Sequence, residues 1–266
     1  MRNPIITLLT DFGTRDHYVA SMKGVILGIN PRCTLIDISH HVSPQDIREG
    51  AYLLASAFAS FPKGTIHLSV VDPGVGCPRK PILIVTSNYF FVGPDNGIFT
   101  LALLREKVEK VVALTHRKYF LSRVSTTFHG RDVFAPVAAH LSSGVHPEAF
   151  GNEIDSWEAF SVSRPEQKTK EVVGEILHID AFGNLISNID EETFLRFTRN
   201  RAFSIRVGEQ RIQGLKQGYW EGKKGEAMAL IGSGGFLEIS VREGNAWKKL
   251  KVKKRDKIRI VLHLGF

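Results

Sequence analysis

Four short segments hold most of the residues able to do chemistry in the first half of this chain. They are Thr10-Asp11-Phe12-Gly13, Asp72-Pro73-Gly74-Val75-Gly76, Gly93-Pro94-Asp95-Asn96-Gly97 and Thr127-Phe128-His129-Gly130-Arg131-Asp132. The first three each follow an apolar run that reads as a strand, and the fourth precedes a helical pattern. They therefore fall beyond the carboxyl ends of strands, where α/β sheets bind ligands. Asp11 is either an N-cap for the next helix or a carboxylate accepting two hydrogen bonds from a ribose diol. Pro94-Asp95-Asn96-Gly97 is either a plain turn or part of the same rim. Two glycines after Asp72 let backbone approach a ligand closely. The segment is not a phosphate loop, because no Gly-Lys-Ser/Thr follows, and the spacing of a dinucleotide fingerprint is absent. His129 is flanked by a glycine, an arginine and an acid, a setting for polar catalysis as well as for a structural histidine. Cys77 reads as a passive small residue, since nothing ties it to a base. No HExxH or Cys-x-x-Cys occurs, so no metal site is expected.

The second half offers three more candidates. Asp180-Ala181-Phe182-Gly183-Asn184 is a turn, or a carboxylate, an aromatic face and an amide suited to an ammonium and a flat ring. Gly232-Ser233-Gly234-Gly235 is a flexible turn or a nest for a carboxylate. Glu243-Gly244-Asn245-Ala246 is a hairpin turn or a reader of a base edge.

The elements that must position these residues divide the chain in two. Ile5–Leu9, Thr34–Ile38, Thr65–Val71, Ile82–Thr86 and Lys110–Leu114 read as buried strands, and a further apolar stretch lies near Tyr89–Val92. His17–Ile29, Pro44–Phe61 and Arg131–Ser143 read as helices. This alternation predicts an α/β domain over 1–164 with a largely parallel sheet. Residues 151–170 are polar and weakly periodic and read as a linker. Over 165–266 the strands Val172–Ile179, Phe203–Val207, Ala227–Ile231, Phe236–Val241 and Lys257–Leu264 predict a small barrel or sandwich.

Composition sets the outer bounds. The 266 residues are 43% hydrophobic and 23% charged, which excludes general disorder. No apolar run reaches the ~18 residues that span a bilayer, so no membrane partner is expected. Two cysteines exclude a disulfide scaffold and point to the reducing cytoplasm. The net charge of +8 is uneven: +2 over 1–164, from 16 basic and 14 acidic residues, and +6 over 165–266, from 19 and 13. Eight basic residues and one acid lie between Lys248 and Arg259. That window is a solvated strand pair or an anion-binding patch; charge runs are mostly solvated faces, and no nucleic-acid partner is expected.

The ordered set of motifs goes further than any one of them. Leu9-Thr10-Asp11-Phe12-Gly13, Asp72-Pro73-Gly74-Val75-Gly76 with Arg79, Pro94-Asp95-Asn96-Gly97, Phe128-His129-Gly130-Arg131-Asp132, Asp180-x-Phe182-Gly183-Asn184 and Gly232-Ser233…Gly244-Asn245-Ala246 occur in this order. This resembles the S-adenosyl-L-methionine hydroxide adenosyltransferases, or adenosine-forming SAM hydrolases, relatives of the bacterial fluorinase and chlorinase. The resemblance covers nearly the whole chain. It implies an N-terminal α/β domain with a Rossmann-like, mostly parallel sheet and a C-terminal β-barrel. It implies hydrolysis of S-adenosyl-L-methionine to adenosine and L-methionine, with no cofactor, by a homotrimer with active sites at subunit interfaces. The family's catalytic set falls on Asp72, Arg79 and His129, and the ribose-holding acid on Asp11. The methionine end matches Asp180 and Ser233, and the adenine side Phe182, Asn184, Asn245 and Ala246. Phe12, Asp95, Asn96, Phe128 and Gly130 complete the expected substrate contacts. Gly130 alone permits a SAM-dependent halide transferase, but Asp72 and His129 argue against it, because a carboxylate repels a halide. A non-catalytic nucleoside or nucleic-acid binder using the basic window is the other alternative.

Overall fold

The computed structural model describes residues 3–199 and 201–263. The chain forms two compact units, Met1–Ser161 and Val162–Phe266.

In the first unit, seven strands form one sheet: β1 (Ile5–Thr10), β2 (Thr34–Ser39), β3 (Ile66–Val70), β4 (Pro81–Thr86), β5 (Phe90–Pro94), β6 (Val108–Leu114) and β7 (Gly151–Glu153). Their order is β2-β1-β3-β5-β4-β6-β7. β2, β1, β3, β5 and β6 point one way, while β4 and β7 run against them. The inner strands are apolar almost throughout because both faces are covered. On one face α1 (Tyr18–Ile29) and α4 (Ala135–Ser142) bring Met22, Ile26, Val137 and Leu141 onto Ile6, Leu8, Leu68 and Leu83. On the other, α2 (Ile47–Ala57) and the 3-10 turn Phe58–Ser60 pack Leu54 and Phe58 against Leu9, Ile82, Ile84 and Phe91. Asp46 starts α2 by accepting the Glu49 backbone N–H at 3.0 Å, which satisfies a donor left free at the helix end.

The chain leaves β1 toward β2 on one side, and β2 leads to β3 on the other. The strand order therefore reverses at the pair β1–β3, where Thr10 is in register with Val70. The loops beginning at Asp11 and Val71 emerge from this switch point, the crevice that α/β sheets use for ligands.

The helix expected over Pro44–Phe61 is shorter, because Pro44 and Gln45 lie before the cap and the last turn tightens to 3-10. The helix expected from Arg131 opens as a π-turn, Gly130–Phe134, ahead of α4. A four-residue helix, α3 (Thr100–Leu103), was not anticipated. The expected linker over 151–170 contains the division between the two units and has strand only at Gly151–Glu153 and Glu166–Gln167. β7 pairs with β6, the Glu158 N–H bonds the Asp95 carboxylate at 2.7 Å, and β8 (Glu166–Gln167) pairs with β9. The segment's backbone pairs, while Ile154 and Trp157 pack against the core, and Arg48 lies over the Phe160 ring.

The second unit is antiparallel, in the order β12-β11-β15-β9-β10-β14-β13, with β8 beside β9. Its strands are β9 (Glu171–Ile179), β10 (Leu185–Asp190), β11 (Phe203–Val207), β12 (Gln210–Gln213), β13 (Ala227–Ile231), β14 (Phe236–Val241) and β15 (Lys257–Leu262). The Lys216 N–H bonds the Ala229 carbonyl at 2.8 Å, which draws the chain just past β12 against β13 and nearly closes a barrel. The expected final strand ran to Leu264, which lies outside the described residues. α5 (Glu191–Thr198), capped by Asp190 onto the Thr193 N–H at 2.7 Å, and the short α6 (Ala246–Leu250) are additions to the expected pattern. Part of the basic window is paired across strands: Lys257 with Glu175 at 3.3 Å and Arg259 with Glu171 at 3.1 Å.

Candidate active site

The loop after β3 turns back on itself before β4, and this brings Arg79 onto Asp72. Nε of Arg79 donates to Oδ1 of Asp72 at 3.0 Å, and Nη2 donates to Oδ2, a two-pronged pair. Both side chains are largely withdrawn from solvent, at 5% for Asp72 and 10% for Arg79. Gly76 allows the turn. Its φ is +79°, and a Cβ there would lie 2.5 Å from the Thr126 carbonyl oxygen.

His129 joins this pair from the other loop. Its Nδ1 lies 2.9 Å from the same Nη2 of Arg79. A guanidinium has no acceptor, so Nδ1 must accept, and in the neutral ring the proton sits on Nε2. Burial holds the His129 pKa below its ordinary value, and the neighbouring Arg79 charge adds to this against the pull of Asp72 and Asp132. The ring is therefore neutral at pH 7. The Arg79 guanidinium also lies over the Phe134 ring, 5.3 Å from its centroid.

Asp132 holds the His129 loop. It is fully buried and accepts the Ser125 N–H at 2.8 Å, the Ser125 hydroxyl at 2.7 Å and Nε of Arg131 at 2.6 Å. Burial resists its ionisation, but the bonds from Arg131 and Ser125 outweigh that and lower its pKa. In the sequence Asp132 stands out only as a neighbour of His129. The signal was an acid at the mouth of an apolar helix with a serine seven residues before it.

Asp11 does not cap α1, whose first turn carries no side-chain cap. Its Oδ2 instead accepts the Gln45 N–H at 2.8 Å, joining the loops after β1 and before α2. Phe12, Phe128 and Tyr18 form an aromatic trio with centroids 5.1–5.8 Å apart. Gly130 sits against Phe12, Phe128 and Met22. Asp95 and Asn96 are turned inward. Asp95 accepts from Glu158, and burial raises its pKa. Asn96 donates to the Val71 carbonyl at 2.9 Å, which steadies the residue just before Asp72. Cys77 is exposed. Among the described residues no group of three His, Cys, Asp or Glu side chains forms a metal site.

The second unit joins its first and third candidate loops. Asp180 closes its own turn, with Oδ1 accepting the Phe182 and Asn184 N–H groups at 2.9 and 2.8 Å and Oδ2 accepting the Asn184 amide at 2.9 Å. Phe182 is left exposed. Gly183 packs directly on the Asn245 amide, where any side chain would collide, and its carbonyl accepts the Trp247 N–H at 2.9 Å. Asn245 caps α6 through the Lys248 N–H at 2.8 Å, and Ala246 is buried behind it. Ser233 is exposed on the β13–β14 hairpin. Beneath that hairpin lies a residue the sequence reading passed over: Glu238 is buried and accepts the Tyr219 and Ser240 hydroxyls, both at 2.7 Å. The signal was a lone carboxylate inside the apolar strand Phe236–Val241.

Comparison with known proteins matches both units. Residues 6–151 fit the SAM hydroxide adenosyltransferase N-terminal domain and residues 174–259 the C-terminal domain of the same name. A protein of Methanocaldococcus jannaschii named (R)-S-adenosyl-L-methionine hydrolase is 40% identical, over 97% of this chain and 95% of its own. A fluorinase from Actinoplanes sp. is 27% identical, over 70% of this chain and 72% of its own. The crystal structure of an uncharacterized conserved protein from Thermotoga maritima superposes with a TM-score of 0.91 at 38% identity, covering 96% of this chain and 99% of that one.

Proposed function

The chain belongs to the SAM hydroxide adenosyltransferase family, and we propose that Asp72, Arg79 and His129 position the water with which it hydrolyses S-adenosyl-L-methionine to adenosine and L-methionine. The observation that carries this reading is the hydrogen-bond chain Asp72–Arg79–His129 beside the β1–β3 switch point. A sulfonium is a good leaving group, so C5′ needs an aligned nucleophile rather than a metal. The water oxygen attacks C5′ opposite the sulfur, the C5′–O bond forms, and the C5′–S bond breaks with its electron pair going to methionine. One proton is left over. His129 cannot take it, because Nδ1 already accepts from Arg79 and Nε2 carries a hydrogen. Asp72 retains lone pairs on both oxygens after Arg79 takes one on each, so Asp72 is the acceptor and His129 is a donor that orients the water oxygen.

The name of the Methanocaldococcus jannaschii relative specifies the R form, and we extend the reading to that sulfonium configuration. Asp11 is assigned to the ribose hydroxyls, with Phe12, Phe128, Asp95, Asn96 and Gly130 around them. Phe182, Asn184, Asn245 and Ala246 are assigned to adenine, and Asp180 and Ser233 to the methionine end. In this reading the enzyme is a homotrimer, with the α/β unit of one subunit and the barrel unit of a neighbour sharing each substrate. It works in the cytoplasm, consistent with its two free cysteines.

The test is direct. Purified protein is incubated with each sulfonium epimer of S-adenosyl-L-methionine, with and without chloride or fluoride, and products are separated by chromatography. Adenosine and methionine are expected, faster from the R epimer and indifferent to halide. No adenosine above the enzyme-free control refutes the hydrolase. A 5′-halo-adenosine favours the halide enzyme. Sedimentation of the same sample tests the trimer.

A further inference from the structure

The loop between β2 and α2 sets the direction of the Asp11 carboxylate. Oδ2 of Asp11 accepts the Gln45 N–H at 2.8 Å, and Gln45 adopts a left-handed φ of +66° where it presents that donor. Oδ1 has no partner among the described residues. The same loop grips the Asp11 turn at two more points. The Gly13 N–H donates to the His40 carbonyl at 2.7 Å, and Nδ1 of His40 lies 2.8 Å from Oγ1 of Thr10. Thr10 Oγ1 in turn accepts the Phe12 N–H at 3.2 Å. The far nitrogen of His40, Nε2, sits 3.1 Å from Oδ1 of Asp37, and Lys23 donates to Oδ2 of Asp37 at 2.6 Å. Burial resists ionisation of Asp37, but Lys23 and His40 outweigh it and lower its pKa. A lone pair on Nε2 would be repelled by that carboxylate, so Nε2 carries the hydrogen and Nδ1 accepts from the Thr10 hydroxyl. Thr10 then has only lone pairs left, and one of them takes the Phe12 N–H. Thr10 is fully buried and His40 is 4% exposed. Two buried polar side chains are thus devoted to one backbone N–H beside Asp11, where apolar residues of the same shape would serve packing alone.

Resting on the assignment of Asp11 to the ribose hydroxyls, we infer that His40 is a positioning residue for substrate: through Thr10 and its own carbonyl it fixes the Asp11-Phe12-Gly13 turn, so that Oδ1 of Asp11 stays free for the ribose diol. Lys23 and Asp37 set the tautomer of His40, and Gln45 holds Oδ2 of Asp11. His40 acts through Asp11 alone. A carboxylate with one oxygen tied down presents the other in one direction, and a ligand then binds without first having to order it.

The experiment compares two substrates in the full-length enzyme: S-adenosyl-L-methionine and its 2′,3′-dideoxyribose analogue. The wild type is expected to prefer the natural substrate at least about tenfold in kcat/KM. Thr10→Val keeps the volume and breaks the chain from His40. In that variant kcat/KM for S-adenosyl-L-methionine falls about tenfold to a hundredfold, the range expected for losing a hydrogen bond to a charged group. The dideoxy analogue changes less than about threefold, and Thr10→Ser restores the preference. In an Asp11→Ala background Thr10→Val costs less than about threefold, because the residue it positions is gone. Equal losses for both substrates, no loss for either, or a full loss in the Asp11→Ala background overturns the assignment. Should Thr10→Val fail to fold, Asp37→Asn reads the same chain from its exposed end. It is expected to reduce the ribose preference at least about threefold, and an intact preference counts against the proposal. If the wild type hydrolyses neither substrate, the reaction reading has failed, and calorimetry with adenosine and 2′,3′-dideoxyadenosine then decides for His40 alone. A wild-type preference for adenosine that Thr10→Val removes supports it. No preference in the wild type, or one that Thr10→Val leaves intact, refutes it.

Discussion

Replacing Arg79 by lysine separates charge from geometry at the Asp72–Arg79–His129 cluster. Arg79 makes three bonds with two nitrogens: Nε and Nη2 to Asp72, and Nη2 again to Nδ1 of His129. A lysine ammonium keeps the positive charge and one contact to Asp72, but it cannot span both oxygens and the imidazole. Two of the three bonds are lost. Hydrogen bonds to charged groups are worth about 1.5–3 kcal/mol each, so the summed ceiling is about 3–6 kcal/mol. Part of this is recovered as the side chains relax. A loss of about 3–4 kcal/mol in the transition state corresponds to a fall of about 10²–10³ in kcat.

The loss has a second signature. Arg79 fixes the tautomer of His129 and helps hold its pKa down. In Arg79→Lys, Nδ1 is released and the retained charge is displaced, so the ring takes up a proton at higher pH than in the wild type. The wild type is expected to show kcat/KM free of a His129 limb near neutrality, whereas the variant loses activity as pH falls through a raised histidine pKa. The assay is adenosine formation at saturating and limiting substrate between pH 5.5 and 8.5, with the ring protons of His129 followed by NMR. A variant within threefold of wild-type kcat, or one with unchanged His129 titration, refutes the argument that the Arg79 fork sets the site.

Three further outcomes follow from other parts of the structure. Asp72→Asn keeps the shape but removes the proposed proton acceptor, so adenosine release should fall by about 10²–10⁴ while calorimetric binding of adenosine stays within a fewfold. Gly76→Ala forces a side chain into the left-handed region and onto the Thr126 carbonyl; a cost of about 1–3 kcal/mol is expected, read as a lowered melting temperature with a fall in kcat, and an unchanged melt would refute it. His67 is fully buried among Phe58, Phe61, Tyr89 and Phe91, with Nδ1 bonded to Thr7 at 2.8 Å, and burial lowers its pKa to about 3. The folded pKa lies below the unfolded one, so this contribution is complete above about pH 6.5 and is lost as pH falls toward 3. The slope is about 1.4 kcal/mol per pH unit, so urea unfolding at pH 5 should show about 2 kcal/mol less stability than at pH 7, and His67→Gln should flatten the difference.

What the sequence made legible depended on whether the information was local. Strands such as Ile5–Thr10 and Phe236–Val241 announce themselves because both their faces, or one face strictly, must be apolar. The polar loops were visible because Gly76 and Gly183 are demanded by backbone conformation and close contact, which only a glycine supplies. Bonds between distant residues were not legible. Asn96 on the Val71 carbonyl, Asp11 on the Gln45 N–H and the Asp95–Glu158 bond each join residues 25 to 63 positions apart. The same polar atoms fit a turn, a cap or a ligand contact until the fold selects one. Glu238 was missed because strand periodicity treats a mid-strand acid as noise, although its burial shows that it carries a constraint.

The charge balance of the cluster bears on which nucleophile it serves. Asp72 and Arg79 cancel, and His129 is neutral because its Nδ1 accepts from Arg79, so the three side chains carry no net charge. A halide entering a water-excluded pocket needs uncompensated positive charge or several convergent donors to replace its hydration. Here the guanidinium is already matched by a carboxylate 5% exposed, which repels a halide brought beside the cluster. Water has the opposite requirement: one donor to orient its oxygen and one anionic acceptor for its proton. In the proposed reading His129 and the remaining lone pairs of Asp72 supply that pair. In the proposed reaction the attack by neutral water on a cation generates an oxonium whose proton passes to Asp72, and this charge balance favours hydrolysis over halide transfer. The discriminating variant is therefore Asp72→Ser with His129→Gly, which removes the anion and opens space beside Arg79. Adenosine formation should collapse in that variant, and any 5′-halo-adenosine made in molar chloride should exceed that of the wild type. A double variant that still hydrolyses at the wild-type rate would show that the proton leaves by another route.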